Sequence, residues 1–195
     1  MCGIAGWFSN SNGCDEMYPR VQRMVTRLRH RGPDDQGTEV LGTSPAVVLG
    51  QARLSIIDTS SDGHQPMHDP ESGNVIVFNG EIYNFKFLRR ELEANGVEFK
   101  THSDTEVLLK AYATWGKTCC SRLRGIFAFA IWDKQERQLF VARDHMGVKP
   151  LYYSQPLGSF VFASEVRALL VGEAAERHVD LLGLNSFFAY GSVQE

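Results

Sequence analysis

Four apolar segments follow one another in the second half of the chain, with only short turns between them. They read GIFAFAIWD at 125–133, QLFVARD at 138–144, PLYYSQ at 150–155 and SFVFAS at 159–164. Two parallel neighbouring strands need a connection of about a dozen or more residues, so strands joined by such short turns pair antiparallel. The pattern therefore predicts antiparallel sheet and argues against a doubly wound parallel fold.

Helical patterns lie between the strand patterns in groups and do not alternate with them one by one. Further strands are predicted over GIAGWFS, TEVLGT, AVVLGQARLSIID, VIVFNGEIYN and VEFKTH. Helices are predicted over the arginine-dense RVQRMVTRLRHRG, ending near Arg29, over FKFLRRELEAN and TEVLLKAYATW, and from Ser164 onward. This grouping favours an α+β fold in which helices cover antiparallel sheets.

Local signals set the expected ends of several elements. Asn84 and Gly96 would begin and end the helix FKFLRRELEAN. The segment SDTE at 103–106 is a capping box, which begins the following helix. The dipeptide Asn79-Gly80 favours a tight turn after the strand VIVF. The apolar helical pattern NSFFAYGSVQE at 185–195 has no evident terminator.

Composition makes several classes of function improbable. A net charge of −3 gives no general attraction to nucleic acid or to an anionic membrane. No apolar run approaches the roughly 20 residues of a membrane span, and the N-terminus lacks a signal-peptide pattern. The four cysteines show neither a CxxC spacing nor a zinc pattern. We therefore expect a reduced, cytoplasmic protein without a metal, a nucleic-acid partner or a membrane partner.

Cys2 directly follows the initiator methionine. Methionine aminopeptidases remove Met1 when the second side chain is small, and removal would leave a free α-amino group on the residue that carries the thiol. Such a group has a pKa of about 7.7–8.0, so part of it is neutral near neutral pH and can accept the thiol proton. Cys2 is therefore a candidate N-terminal nucleophile, although on this residue alone an incidental second residue is the alternative.

Eight motifs in order give this candidate a context. They are CGIAG at 2–6, RHRGPDDQG at 29–37, RLSIID at 53–58, QPM at 65–67, NGEIYN at 79–84, SDTEV at 103–107, GIFAFAIWD at 125–133 and ARDHMGVKPLYY at 142–153. From Cys2 to about Leu169 the chain resembles the N-terminal glutamine amidotransferase domain of the glutamine-hydrolysing asparagine synthetases. Amidotransferases of the glucosamine-phosphate synthase and phosphoribosyl types carry RGYDS-like or RGQDA-like segments where this chain has RGPDD.

The resemblance implies a four-layer αββα sandwich of two antiparallel sheets flanked by helices, of the N-terminal-nucleophile (Ntn) hydrolase type. The implied reaction is hydrolysis of glutamine to glutamate and ammonia. Cys2 would attack the side-chain amide carbon, and the Asn79 side chain with the Gly80 backbone N–H would form the oxyanion hole. Removal of one such donor typically costs about 10²–10³ in rate.

The resemblance also implies a set of residues that bind glutamine. Arg53 would bind its α-carboxylate with two parallel hydrogen bonds. Ile56 and Ile57 would line the substrate through their backbone, and Glu81 and Asp104 would bind the α-ammonium group. Asp104 also has a purely structural explanation, because an acid in the first turn of a helix is stabilised by the helix dipole. The motifs RGPDD and ARDHMGVKPLYY are expected to serve as scaffold without a chemical role.

The chain lacks the SGGxDS-type pyrophosphate loop with which such synthetases activate aspartate. Residues 2–170 are therefore expected to form the glutaminase domain, and 171–195 to lead toward a synthetase domain beyond this sequence. No cofactor is expected in this chain, because ATP and Mg²⁺ would bind in the synthetase domain. That domain is the expected partner of this one. A homodimer is a further expectation. Supply of ammonia to another acceptor, or a degenerate domain kept for binding or assembly, are the alternatives.

Overall fold

The computed structural model describes residues 1–10, 13–55, 63–156 and 158–193. The elements in these ranges are β1 (Gly3–Ser9), α1 (Cys14–Arg27), β2 (Asp35–Thr43), β3 (Ala46–Arg53), β4 (Met67–His68), β5 (Val75–Ile82), α2 (Phe85–Ala94), α3 (Asp104–Trp115), a 3₁₀ helix (Gly116–Arg122), β6 (Gly125–Asp133), β7 (Gln138–Arg143), β8 (Tyr152–Ser154), β9 (Ser159–Ala163), α4 (Val166–Val171) and α5 (Leu181–Tyr190). Among these helices, none combines the length and the apolar character needed to cross a membrane.

The described strands form two antiparallel sheets. One sheet has the order β2-β3-β1-β9-β8, and the other has the order β4-β5-β6-β7. Every strand pair in both sheets is antiparallel. The four apolar segments of the second half of the chain form β6 to β9, and the predicted antiparallel pairing is confirmed. The chain crosses from one sheet to the other between β7 and β8.

The two sheets pack face to face and helices cover their outer faces. Helices α1 and α4 pack on the five-stranded sheet, and α2 and α3 pack on the four-stranded sheet. We call the apolar layer between the sheets the inter-sheet core; its buried members are Ile4, Val47, Leu49, Val75, Val77, Ala128, Ala130, Trp132 and Phe162. The predicted αββα sandwich is confirmed.

Helix α1 is amphipathic, as the arginine-dense stretch predicts. Met17, Val21 and Met24 are buried against the five-stranded sheet, while Arg23 and Arg27 are exposed. The apolar residues recur at helical spacing, so the arginines fall on the opposite, solvated face. The helix ends at Arg27, two residues earlier than expected.

The prediction of a tight turn at Asn79-Gly80 is wrong. Both residues lie within β5, opposite Ala128 and Phe127 of β6. A Cβ atom at Gly80 would collide with the backbone of Ile126 and Phe127. Glycine is therefore required here by the close approach of two strands and not by turn geometry.

Residues 97–102, predicted as a strand, form an irregular segment. The N–H groups of Lys100 and Thr101 donate to the Glu106 carboxylate at 2.8 and 2.7 Å, so a side chain replaces the neighbouring strand. The same bonds change the capping box. Ser103 Oγ accepts from the Glu106 N–H at 3.2 Å as predicted, but the Ser103 N–H donates to Thr101 Oγ1 and not to Glu106.

Three other element ends differ from the prediction. Asn84 precedes α2, but its side chain makes no capping bond and instead binds the backbone of Arg122 and Arg124, each at 2.9 Å. Helix α4 begins at Val166, because Ser164 continues the strand pairing and its Oγ accepts from the Ile4 N–H at 2.9 Å. Gly191, with φ 72°, ends α5 and is the terminator that the pattern concealed.

Candidate functional site

One end of the inter-sheet core is polar. Successive side chains of a strand point to opposite faces, so every second residue of β1, β3 and β5 points between the sheets. Over most of these strands such positions hold apolar residues. At one end of the sheets the inward positions of β3 and β5 hold Gln51, Arg53, Asn79 and Glu81. Cys2, just before β1, has the same alternation and also points inward. The strand period alone therefore gathers these side chains at one place.

A cavity of about 170 Å³ opens at this polar end. Its wall contains six of the eight predicted site residues: Cys2, Arg53, Asn79, Gly80, Glu81 and Asp104. The other two, Ile56 and Ile57, lie outside the described residues. The volume is below the roughly 300–1,000 Å³ of sites for drug-sized ligands, which suits a small metabolite. In the described ranges, no group of three or more His, Cys, Asp or Glu side chains could hold a metal ion.

Cys2 is held at the cavity by contacts with backbone and with an arginine. The Leu54 N–H donates to Cys2 Sγ at 3.4 Å, and the thiol faces the Leu54 carbonyl oxygen at 3.6 Å. Arg31 Nε donates to the Cys2 carbonyl oxygen at 3.0 Å, and Arg31 Nη1 binds Glu165 at 3.1 Å. Met1 also lines the cavity. Its removal would both free the α-amino group of Cys2 and enlarge the space beside the thiol.

Asn79 presents an unpaired amide to the cavity. The residue is only 1% exposed, and neither Nδ2 nor Oδ1 has a hydrogen-bond partner among the described residues. Buried polar groups are nearly always paired, and leaving one unpaired costs about 1–3 kcal/mol. An amide kept in this state at a cavity wall is available to a ligand.

The outer edge of β5 places a second donor at the same cavity. The Phe78 N–H donates to Gln65 Oε1 at 2.7 Å, and the Ile82 N–H donates to Asp104 Oδ2 at 3.0 Å. Both groups therefore point away from β6. Alternate N–H groups of a strand point to the same side, so the Gly80 N–H points with them, and Gly80 lines the cavity. The cavity thus combines a thiol, a side-chain amide and a backbone N–H.

The ionisable groups at the cavity carry both signs of charge. Arg53 ends β3 and is 8% exposed. Gly63 packs against its guanidinium so closely that a Cβ atom there would collide with it. Lys149 is a second buried cation in the wall, and Glu81 and Asp104 contribute carboxyl groups. Both signs in one small cavity suit a zwitterion such as a free amino acid.

Asp104 is the first residue of α3 and is 4% exposed. Burial raises the pKa of its carboxyl to about 6, and the charge of Glu81 adds to the rise. Hydrogen bonds from backbone N–H groups, first that of Ile82, oppose the shift but do not cancel it. The carboxyl is therefore mainly ionised at neutral pH and becomes protonated in mild acid.

This shift predicts that Asp104 lowers the stability of the fold as the pH rises. Its pKa of about 6 in the folded chain lies above the ordinary value of 3.8, so the stability that the protonated carboxyl contributes below about pH 4 is lost by about pH 7. We expect Asp104→Asn, measured against wild type in urea unfolding, to gain about 3 kcal/mol over this range. Glu98→Gln on the surface is the matched control, and a difference that stays constant with pH would contradict the prediction.

Three residues at the site were missed or treated as scaffold. Arg31 lies in the RGPDD motif and binds the Cys2 backbone; Gln65 lies in QPM and binds β5. Lys149 lies in ARDHMGVKPLYY, just after Gly147 with φ 61°, and it reaches the cavity. Each was within a quoted motif, but sequence gives no signal of which motif residue points inward.

Comparisons with known proteins agree with this geometry. A family model described as "Glutamine amidotransferase domain" matches residues 1–195. The chain is 42% identical over 193 residues to the glutamine-hydrolysing asparagine synthetase 3 of Bacillus subtilis, covering 98% of this chain and 31% of that protein. It is 43% identical to a putative asparagine synthetase of Mycobacterium bovis, covering 87% of this chain and 28% of that protein. The chain thus spans about three-tenths of these curated relatives.

The fold itself also has a counterpart among solved structures. The glutamine phosphoribosylpyrophosphate amidotransferase of B. subtilis matches with a TM-score of 0.71 at 24% sequence identity. The match covers 89% of this chain and 44% of that one. At this identity the likeness concerns the arrangement of sheets and helices alone.

Proposed function

This chain belongs to the family of glutamine amidotransferase domains, and on that premise we propose that it hydrolyses glutamine to glutamate and ammonia with Cys2 as nucleophile. The observation that carries the proposal is the unpaired, buried amide of Asn79 at the cavity that Cys2 and Gly80 also line. A domain kept only for assembly would have no reason to retain this unpaired amide, because it costs stability.

The proposed reaction begins after Met1 is removed. The α-amino group of Cys2 takes the thiol proton, and Sγ attacks the side-chain amide carbon of glutamine. The negative charge that develops on the amide oxygen is stabilised by the Asn79 side-chain N–H and the Gly80 backbone N–H. The tetrahedral intermediate collapses, the C–N bond breaks, and the departing nitrogen takes the proton back and leaves as ammonia. Water then attacks the thioester, which releases glutamate and restores the thiol.

The charged residues of the cavity are proposed to hold the amino-acid end of glutamine. Arg53 binds the α-carboxylate, and Glu81 and Asp104 bind the α-ammonium group. Since the pKa of Asp104 is about 6, its ionised form is available for this role at neutral pH. Ile56 and Ile57 lie outside the described residues, so their backbone contacts with the substrate stay a prediction.

For the whole protein we propose that the released ammonia amidates aspartate in a C-terminal, ATP- and Mg²⁺-dependent synthetase domain. The relatives named asparagine synthetases support this, because they extend well beyond the part that matches this chain. On this proposal residues 171–195 belong to the approach to that domain. Another ammonia acceptor is the alternative, and a cytoplasmic location and a homodimer stay predictions.

The direct test of the glutaminase function is release of product by the 195-residue chain. Intact mass is measured first, and protein that has lost Met1 is incubated with glutamine while glutamate and ammonia are quantified. We expect equal amounts of the two products from glutamine and no ammonia from protein that retains Met1, since its α-amino group no longer lies on Cys2. Absence of activity in the mature protein would overturn the proposal.

A further inference from the structure

Two buried glutamine side chains bind the backbone of β5 directly beside the proposed oxyanion hole. Gln51 Nε2 donates to the Phe78 carbonyl oxygen at 2.7 Å, and Gln65 Oε1 accepts from the Phe78 N–H at 2.7 Å. Gln51 is 1% exposed and Gln65 is 4% exposed. Phe78 immediately precedes Asn79, so both polar backbone groups of Phe78 are held one residue before the oxyanion donors.

Gln51 and Gln65 bind the outer edge of β5 at a point where a neighbouring strand would otherwise pair. β4 pairs only with Val75 and Ile76, and beyond that point no other strand among the described residues pairs with the outer edge of β5. The two side chains bind the N–H and the carbonyl oxygen of Phe78 at this edge, and Asp104 accepts from the Ile82 N–H. Between these two residues, no described side chain or strand binds the edge at Gly80, where a strand in the β4 position would have covered the N–H group.

Gln51 keeps this bond although its amide is incompletely paired. Its Oε1 is buried without a hydrogen-bond partner in the part of the chain that the structure describes. An apolar side chain of similar size would avoid the unpaired Oε1 but would leave the Phe78 carbonyl oxygen without this donor. The Nε2 bond to β5 is the feature that an apolar residue could not supply.

We propose that Gln51 and Gln65 are positioning residues, which hold the Asn79–Gly80 segment of β5 in the orientation that binds the oxyanion while leaving its edge open to substrate. The inference rests on the proposed glutaminase function. Neither residue needs to touch glutamine; each acts through the Phe78 backbone. Their loss should therefore weaken binding of the tetrahedral state more than binding of the substrate.

Gln51→Met and Gln65→Met remove the two bonds to Phe78 at nearly constant side-chain size, and Gln65→Met also removes the bond from Gln65 Nε2 to Thr105 Oγ1 at 3.4 Å. In mature protein we expect each to lower kcat by about tenfold to a hundredfold, less than loss of a donor itself, with KM for glutamine within about twofold of wild type. Affinity for glutamate γ-semialdehyde, whose adduct with the thiol is tetrahedral, should fall in parallel with kcat. The rate of Cys2 alkylation by iodoacetamide should not change.

Gln65→Glu is the conservative variant, because its carboxylate can still accept from the Phe78 N–H, and it should restore most of kcat. Gln138→Met is the matched control: this glutamine is half-buried where β7 begins, opposite Asp133 at the far end of β6. If Gln51→Met does not fold, the positioning role is tested by Gln65→Met, Gln65→Glu and Gln138→Met. An unchanged kcat, or a raised KM alone, in Gln65→Met would overturn the inference with the glutaminase function intact. An inactive wild type would overturn both.

Discussion

Replacement of Cys2 by alanine is expected to reduce release of ammonia from glutamine to the level of the buffer. The thiol is the only protein group in this proposal that forms a bond with the substrate carbon, and the remaining donors at the cavity bind glutamine without a nucleophile. The Sγ contacts with Leu54 at 3.4 and 3.6 Å are long, so their loss should change the free energy of unfolding little. Glutamate and ammonia are measured together with thermal unfolding.

Cys14→Ala is the control for this experiment. Cys14 is also half-buried, and its thiol donates to the Gly42 carbonyl oxygen at 3.0 Å, away from the cavity. The Cys14 variant should keep full activity, which separates the nucleophile from a general effect of losing a thiol. Glutaminase activity that survives in Cys2→Ala would show that another residue performs the attack.

Asn79→Ala is expected to lower kcat by about 10²–10³ with little loss of stability, because it removes one oxyanion donor. The usual cost of deleting a buried amide is small here, since neither polar atom of the Asn79 side chain has a partner among the described residues. We expect the free energy of unfolding to stay within about 1 kcal/mol of wild type. Steady-state kinetics and urea unfolding are measured on the same preparation.

Asn74→Ala is the control, for which we expect a loss of stability without a loss of kcat. Asn74 immediately precedes β5, at the end of the strand opposite to Gly80. Asn74 is buried too, but its Oδ1 accepts from the Lys134 N–H at 3.3 Å. Its replacement should cost about 1 kcal/mol of stability and leave kcat unchanged. An Asn79 variant that loses stability as Asn74→Ala does, while keeping kcat, would assign Asn79 to the framework and not to the chemistry.

Most secondary structure could be predicted because it depends on residues close together in sequence. The apolar period of α1, the short turns between β6 and β7 and the Ser103 N-cap are all local, and all are found. The errors occur where the backbone is satisfied by a group other than the one that the local pattern predicts. Residues 97–102 bind the Glu106 carboxylate instead of a strand, and Asn79-Gly80 pairs with β6, about 50 residues later, instead of turning.

The sequence by itself determined the candidate nucleophile, since the position of Cys2 behind Met1 is covalent. Its order of strand and helix patterns predicted antiparallel sheets covered by helices, and its resemblance to a known family implied the four αββα layers. The tertiary structure alone decided the protonation and the hydrogen bonding of the residues at the site. It buries Asp104 and so raises its pKa to about 6, leaves the Asn79 amide unpaired, and places Gln51 and Gln65 on Phe78. These properties depend on burial and on contacts between residues 13 to 27 positions apart. No pattern of neighbouring residues encodes such contacts, because they exist only after the sheets have packed.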